Sequence, residues 1–130
     1  MNIYGMGTDI VNIDRINSAL NRNNSFKKRI FTISEISKCE KRKNKIECFA
    51  KRFAAKEALY KAIGAKKILN FKDVEIQNNS QGAPTINIFG NSLKKLKKIF
   101  KNKKFKIHLS LSDDKPWAVA SVIVFVEKKK

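Results

Sequence analysis

The chain of 130 residues carries 29 lysines and arginines against 11 aspartates and glutamates, a net charge of +18, and 42% of it is hydrophobic. That length suits one domain built around a single core, and the hydrophobic content argues against a disordered chain. The charge favours an anionic partner, whether nucleic acid, an anionic membrane or an acidic protein, unless codon bias toward Lys and Asn produced it without one.

The first residues predict a strand followed by a short helix. Residues 3–11 are rich in Ile, Val and Tyr, which favours an opening strand that ends near Asp9. Asn12 and Asp14 are each candidates for the N-cap of a helix that runs through Leu20. The sequence therefore predicts a turn from strand to helix directly after Asp9.

A second helix is predicted after a short connector. The segment RNNSF, residues 22–26, has the composition of a connector. Thr32 and Glu35 stand at the spacing of a capping box, in which each side chain binds the backbone N–H of the other residue. We therefore expect a helix from residue 33 into the charged stretch KCEKRKNK, residues 38–45.

Residues 49–64, FAKRFAAKEALYKAIG, predict a long helix because they are rich in alanine and end in Gly64, a residue suited to a helix stop. Helical periodicity gives this helix an aromatic stripe and a strip of small side chains. The stripe comprises Phe49, Phe53 and Tyr60, and the strip comprises Ala55, Ala58 and Ala62. Glu57 and Lys61 fall at the border of the stripe. There they can form an i, i+4 ion pair, or be partly buried and still reach a cleft.

The second half of the chain predicts a hairpin, a helix and two further strands. Residues 73–78 and 84–90 alternate as strands, and the connecting NSQGA supplies Gly82 for the turn. An amphipathic, lysine-rich helix is predicted over 91–101. FKIHLSLS, residues 105–112, alternates cleanly between apolar and polar side chains.

The last predicted strand, 117–126, is apolar on both faces, which indicates burial in the core and in a subunit contact. Strands and helices are mixed along the chain and do not strictly alternate. We therefore predict an α+β fold, a single compact domain in which a mostly antiparallel sheet packs on the long helix.

The cysteines and the apolar segments predict a soluble, unprocessed, cytoplasmic protein. Cys39 and Cys48 match no C-x-x-C or Cys/His spacing, so we expect reduced thiols and neither a zinc site nor a disulfide framework. The N-terminus, MNIYGMGTDIV, lacks a basic segment followed by a long apolar one. The longest apolar run, 117–126, is shorter than the roughly 18 residues that span a bilayer.

Two acids are candidates for a metal site. Mg²⁺ is held by one or two carboxylates while substrate phosphates and waters complete its coordination, so Asp9 and Glu57 would suffice. Spacing alone does not bring these two residues together. Arg52, Lys56 and Lys61 share a helix with Glu57 and can either neutralise a diphosphate or form a solvated basic face.

A polar row is predicted on the strand over 105–112. His108, the only histidine, is either a structural residue or, with Ser110 and Ser112, part of a row that suits phosphate. The G-M-G at 5–7 is too short for a nucleotide-binding loop and indicates room for close packing near the first strand.

Four blocks of the sequence together resemble one known family. They are GTDIV at 7–11, RFAAKEALYKAIG at 52–64, NSQGAP at 79–84 and HLSLSDDKPWAVASVIV at 108–124. In this order and approximate spacing they resemble the small holo-acyl-carrier-protein synthases, the 4′-phosphopantetheinyl transferases of fatty-acid biosynthesis. The resemblance implies one transferase domain over residues 1–130.

The resemblance implies a Mg²⁺-dependent reaction with coenzyme A. Members of this family transfer the 4′-phosphopantetheine arm of coenzyme A to a serine of apo acyl-carrier protein and release adenosine 3′,5′-bisphosphate. By position, Asp9 and Glu57 resemble the metal ligands, and with Lys61 they resemble the catalytic residues. The positions that resemble coenzyme A contacts are Arg52, Lys61, Gly64, Gly82, Pro84, His108 and Ser110.

The resemblance also implies partners. The family forms homotrimers with active sites at subunit contacts, and Arg15 matches a position that meets the acyl-carrier protein. That carrier is acidic, so the net charge would steer the encounter. The chain departs from the family at Asp113 and Asp114, which follow the H-x-S-x-S segment where many members have a second histidine. Two other function classes remain open, a nucleic-acid-binding module and a membrane-surface protein that binds through the helix over 91–101, although we expect neither partner.

Overall fold

The computed structural model describes residues 1–22 and 24–128. Five strands and five helices follow one another in the order β1, α1 to α4, β2, β3, α5, β4 and β5, and a single 3₁₀ turn precedes β2. The strands are β1 (Asn2–Asn12), β2 (Val74–Asn78), β3 (Pro84–Ile88), β4 (Phe105–Asp114) and β5 (Trp117–Val126). The helices are α1 (Ile13–Arg22), α2 (Asn24–Ile30), α3 (Ile33–Glu40), α4 (Lys45–Ala62) and α5 (Gly90–Ile99), and the 3₁₀ turn is Phe71–Asp73.

The strands form two antiparallel sheets. One has the order β1-β5-β4, and the other is the hairpin of β2 and β3. The long helix α4 packs against one face of the three-stranded sheet, where Ala58, Leu59, Ala120 and Val122 are all buried. The predicted α+β fold, with an antiparallel sheet on a long helix, is confirmed.

Two glycines of β1 set how closely the sheet approaches α4. A Cβ atom added at Gly5 would lie 1.9 Å from the backbone oxygen of Ala62, and one added at Gly7 would lie 1.9 Å from the backbone oxygen of Ala58. No side chain fits in that gap, so strand and helix meet backbone to backbone. The prediction that these glycines allow close packing is confirmed, as is the strip of small residues on α4.

Side chains of a strand alternate between its two faces, so the three-stranded sheet has an inner face toward α4 and an outer face away from it. The inner face of β5 is buried through Ala118, Ala120, Val122 and Val124. The outer face leaves several large apolar side chains exposed among the described residues. They include Ile3 at 58% exposure, Met6 at 65%, Ile10 at 59% and Trp117 at 46%.

Both helix starts predicted from capping residues are confirmed, whereas the long helix α4 begins at Lys45, ahead of the predicted start at residue 49. Asn12 is the residue that caps α1, because its Oδ1 accepts hydrogen bonds from the backbone N–H of Asp14 at 2.9 Å and of Arg15 at 3.3 Å. The capping box before α3 is complete: Thr32 Oγ1 accepts from the N–H of Glu35 at 3.1 Å, and Glu35 Oε1 accepts from the N–H of Thr32 at 3.0 Å. The helix runs into the charged stretch over 38–45, as predicted, and ends at Glu40.

The prediction of a connector over 22–26 is wrong for residues 24–26, which begin α2; residue 23 lies outside the described residues. Phe26 explains the helix. Its ring lies 6.3 Å from the ring of Phe31 and 5.9 Å from that of Phe53, so tertiary packing overrides a polar local composition.

The prediction of two reduced thiols is also wrong. Cys39 on α3 and Cys48 on α4 form a disulfide, with their Cα atoms 5.5 Å apart. A nine-residue separation says nothing about this pairing, but the turn between α3 and α4 places the two buried residues within bridging distance. No helix in the described part of the chain is long and apolar enough to cross a membrane.

Candidate functional site

Asp9 points from β1 toward α4, because it lies two residues beyond Gly7 and shares its face of the strand. Its side chain is only 13% exposed, and Oδ1 accepts a hydrogen bond from Lys61 Nζ at 3.0 Å. The other oxygen, Oδ2, is buried with no hydrogen-bond partner among the described residues. A buried carboxylate oxygen without a partner is costly, so this atom would gain from contact with a cation or a hydrogen-bond donor.

Glu57 and Lys61 lie one helical turn apart on α4, facing Asp9. The Lys61 ammonium donates to the backbone oxygen of Thr8 and to Asp9 Oδ1, each at 3.0 Å, so its ion pair is with β1 and not with its own helix. Burial raises the pKa of Glu57 above the ordinary carboxyl range, and the charge of Asp9 raises it further, while Lys61 acts in the opposite direction. The fold therefore brings Asp9 together with two residues of α4 that are distant from it in sequence.

The donor set of Asp9 and Glu57 fits a hard divalent cation. The two acids repel each other electrostatically, one of their oxygens lacks a partner, and both effects would be relieved by a bound cation. Within residues 1–22 and 24–128 no cluster of three or more His, Cys, Asp or Glu side chains forms a metal cage. Two carboxylates are nevertheless the usual protein share of a Mg²⁺ site that substrate phosphates complete.

A cavity of about 350 Å³ opens beside Glu57. Its lining combines apolar side chains with a cation and an amide, and comprises Arg29, Ile30, Glu57, Tyr60, Leu69, Asn70 and Phe71. Sequence reasoning missed Arg29 and Asn70. Arg29 lies in the last turn of α2, next to the segment interpreted as a connector, and Asn70 precedes the 3₁₀ turn, so neither residue carried a motif.

Arg52 lies on the same helix but is 3% exposed. Its Nη1 donates to Cys48 Sγ at 3.1 Å, while Nε and Nη2 lack a hydrogen-bond partner in the described structure. Burial lowers the pKa of Arg52, and Arg42 lowers it further. The guanidinium is thus a buried donor group with unused capacity, and it does not line the cavity beside Glu57.

His108 and Ser110 lie on the outer face of the sheet. They are exposed on β4, opposite Ile123 and Ser121 of β5, and the His108 ring meets the ring of Phe125 edge-on at 5.2 Å. Asp9 and Glu57 occupy the inner side. Within one chain the sheet itself separates the polar row of β4 from the two acids.

The remaining candidate residues lie at turns or helix ends. Gly64 has φ +82° just beyond α4, and Gly82 has φ +85° in the turn that leads to Pro84 at the start of β3, so both glycines hold conformations that disfavour other residues. Arg15 is exposed on α1 and lines a second cavity of about 390 Å³. Asp113 forms an ion pair with Lys51 at 3.0 Å, which offsets the extra negative charge after the H-x-S-x-S segment.

Comparison with known proteins gives a consistent result. Residues 5–121 match the family model described as the 4′-phosphopantetheinyl transferase superfamily. A holo-[acyl-carrier-protein] synthase of Zymomonas mobilis is 45% identical, over 94% of this chain and 96% of that protein.

Solved structures agree with that match. The holo-[acyl-carrier-protein] synthase of Neisseria meningitidis superposes with a TM-score of 0.81 at 32% identity, over 97% of this chain and 99% of the other. The Bacillus anthracis synthase, solved in complex with CoA (3′,5′-ADP), gives a TM-score of 0.76 at 33% identity, over 95% of this chain and 97% of the other.

Proposed function

This chain belongs to the 4′-phosphopantetheinyl transferase superfamily, and we propose that it uses Mg²⁺ to transfer the 4′-phosphopantetheine arm of coenzyme A to a serine of an apo acyl-carrier protein. The second product is adenosine 3′,5′-bisphosphate. The observation that carries the proposal is the meeting of Asp9, Lys61 and Glu57 around a carboxylate oxygen that has no partner in the described chain. Names of similar proteins support the substrates, since they are holo-[acyl-carrier-protein] synthases and one was solved with coenzyme A.

Asp9 and Glu57 would hold the Mg²⁺ ion. When bound, the ion supplies positive charge to the nonbridging oxygens of the coenzyme A diphosphate. Asp9 Oδ2 is the oxygen that is free for this role, because Oδ1 already accepts from Lys61. A bound cation would offset the repulsion between the carboxylates of Glu57 and Asp9.

Lys61 binds the reacting phosphate in this proposal. Its side chain is 50% exposed, so the ammonium can turn from Thr8 and Asp9 toward a phosphoryl oxygen without leaving the site. A fixed cation there stabilises the charge that grows on the leaving bisphosphate. Gly64, Gly82 and Pro84 are further contacts of coenzyme A in this proposal, whereas a phosphate contact by Arg52 would require its buried guanidinium to become exposed to the ligand.

The reaction forms a bond between the serine oxygen and the β-phosphorus of coenzyme A, and it breaks the bond between that phosphorus and the bridging oxygen of the diphosphate. The electron pair of the broken bond leaves with the bisphosphate. A water hydrogen-bonded to Asp9 or Glu57 would pass the serine proton to that carboxylate, and Lys61 is the alternative acceptor, for which its side chain must first be the neutral amine. The raised pKa of Glu57 suits a group that holds a proton transiently.

We also propose that copies of this chain assemble as a homotrimer. The outer face of the sheet exposes apolar residues that a monomer would leave in water, including Met6, Ile10 and Trp117. The same face carries His108 and Ser110. A neighbouring subunit packed on this face would place its Glu57 beside His108 and Ser110 of this chain. The two subunits together would then complete the coenzyme A site.

An acidic carrier protein fits the charge of the chain. A net charge of +18 speeds the encounter with an acidic partner, and the exposed Arg15 stands beside a cavity where such a partner can dock. This activity would place the enzyme in fatty-acid biosynthesis in the cytoplasm, with neither nucleic acid nor membrane as a partner.

One assay tests the reaction. The protein is incubated with coenzyme A, Mg²⁺ and an apo acyl-carrier protein, and mass spectrometry follows the addition of the arm to the carrier, with a chelator added to a parallel sample. We expect the added mass only without chelator. An unchanged carrier, together with salt-sensitive retention on RNA or on anionic vesicles, would favour one of the two other function classes.

A mixing experiment tests the shared site. Glu57→Gln and His108→Ala variants are unfolded, mixed and refolded together. Some subunit contacts of a mixed trimer would then have the native Glu57 from one chain and the native His108 from its neighbour. We expect the mixture to regain activity that neither variant has alone. A mixture no more active than its components would show that each chain works without its neighbours.

A further inference from the structure

The lysine next to Glu57 is completely buried. Lys56 is 0% exposed, and its ammonium donates to Glu35 Oε1 at 2.6 Å, to the backbone oxygen of Ile30 at 2.7 Å and to that of Phe71 at 2.9 Å. An ammonium has three protons, so every donor is used. Burial lowers the pKa of Lys56, and the Glu35 carboxylate acts against that shift.

Two of the three acceptors belong to the walls of the cavity beside Glu57. Ile30 ends α2 and Phe71 begins the 3₁₀ turn, and both residues line that cavity together with Glu57. Ile30 and Phe71 are 41 positions apart in the chain, and the Lys56 ammonium is bonded to both of them. Lys56 and Glu57 are neighbours on one rigid helix, so the position of the walls is tied to the position of the Glu57 backbone.

We propose that Lys56 is a positioning residue, which holds the Ile30 and Phe71 segments at a fixed distance from Glu57 and thereby sets the fit of coenzyme A in this cavity. The inference rests on the proposed function, because it takes coenzyme A as the ligand. Lys56 touches no reacting atom. It acts through two backbone carbonyls.

Glu35 is part of the same network but contacts other segments. Besides Lys56, its carboxylate accepts hydrogen bonds from the N–H of Thr32 at 3.0 Å and of Ile76 at 2.9 Å, and neither residue lines the cavity. A change at Glu35 therefore weakens the ion pair while leaving the ammonium bonded to the two cavity walls. This separates loss of the pair from loss of the link between the walls.

Two variants make the test. Lys56→Met alone would leave a buried, unpaired carboxylate, so the informative protein is the double variant Lys56→Met/Glu35→Gln, which removes both charges at similar volume. The matched control is Glu35→Gln, which keeps the ammonium. Both are first checked for a cooperative thermal transition, and steady-state transfer then gives kcat and KM for coenzyme A.

We expect the double variant to raise the KM for coenzyme A about tenfold with kcat changed less than about twofold, because misplaced walls weaken binding while Asp9, Glu57 and Lys61 stay intact. Glu35→Gln is expected to keep the KM within about twofold of the parent. Equal KM values for the double variant and the parent would overturn the inference, even if the double variant were less stable.

Amide hydrogen exchange gives a second readout that needs no turnover. The amides of residues 68–73 should exchange faster in the double variant than in Glu35→Gln, since only the double variant releases the Phe71 carbonyl. Equal exchange in the two proteins would contradict the link. If no protein, including the parent, transfers the arm, then the proposed function fails, and the exchange comparison alone decides whether Lys56 holds the walls.

Discussion

Two lysines of helix α4, Lys56 and Lys61, each pair with an acid, and the two pairs differ in burial and in how fully hydrogen bonds satisfy their polar atoms. The pair of Lys56 and Glu35 is 0% exposed on both sides. Its polar atoms are bonded to one another and to backbone groups of four other residues. The pair of Lys61 and Asp9 is 50% and 13% exposed, and one Asp9 oxygen has no partner in the described residues.

The difference separates groups that hold the fold from groups that await a ligand. A buried ion pair is tolerated when hydrogen bonds satisfy its remaining atoms, and Lys56 with Glu35 meets that condition. Asp9 and Glu57 do not meet it, since they are like charges on facing elements with a carboxylate oxygen left over. Buried polar atoms without a hydrogen-bond partner and pairs of like charges concentrate at functional sites.

The largest expected effect tests Glu57, the acid that faces Asp9. Glu57→Gln should lower the rate of arm transfer by about 10²–10³-fold, the scale seen when one preorganised charge is removed from an active site. The fold should persist, because a neutral amide avoids the cost that burial and Asp9 impose on the Glu57 carboxylate. Transfer is measured by mass spectrometry and folding by circular dichroism. Near-normal transfer would remove Glu57 from the metal site.

The next effect is on stability and tests the satisfied pair. Lys56→Met should lower the free energy of unfolding by about 3–5 kcal/mol, because Glu35 would remain as a buried charge without its partner. Lys61→Met is the matched control on the same helix and should lower it by less than about 1 kcal/mol, since solvent screens that half-exposed lysine. Urea unfolding measures both. Similar losses of unfolding free energy in the two variants would show that the two ion pairs contribute equally to stability.

Gly7→Ala is expected to act on both stability and activity. The added Cβ would lie 1.9 Å from the backbone oxygen of Ala58, so β1 and α4 must move apart, at a cost of about 1–3 kcal/mol. That shift also moves Asp9 away from Glu57, so transfer should fall more than in Thr8→Ala, a control whose side chain is exposed on the outer face. Equal activity in the two variants would show that the spacing of β1 and α4 does not control the site.

Much of the fold follows from local patterns. The capping box at Thr32 and Glu35, the alternation over 105–112 and the glycine after α4 each depend on a few neighbouring residues, and all three predictions are confirmed. The start of α2 and the bridge between Cys39 and Cys48 depend on contacts between elements, which composition and spacing do not encode.

The candidate site divides in the same way. Asp9, Glu57 and Lys61 were named from residue types and from the family resemblance, and their convergence required the close approach of β1 and α4. Arg29 and Asn70 were not named, because they lie at the ends of short segments that only tertiary packing places beside Glu57. No feature of the sequence predicted that the sheet would separate His108 from the two acids.

The smallest expected effect is a pH dependence of stability that arises from Glu57. The pKa of Glu57 is raised in the folded state, so folding favours its protonated form. Its contribution to stability is fully present below the pKa of an unfolded glutamate, about 4.3, and is lost as the pH rises through the higher folded value. The parent should therefore lose stability relative to Glu57→Gln across that window and remain at a constant offset above it. Parallel urea-unfolding series at several pH values measure the difference, and adding Mg²⁺ above the window should restore stability to the parent more than to Glu57→Gln. A difference independent of pH and of Mg²⁺ would mean that neither burial nor Asp9 raises the pKa of Glu57, and the contrast between the two pairs would then reduce to exposure.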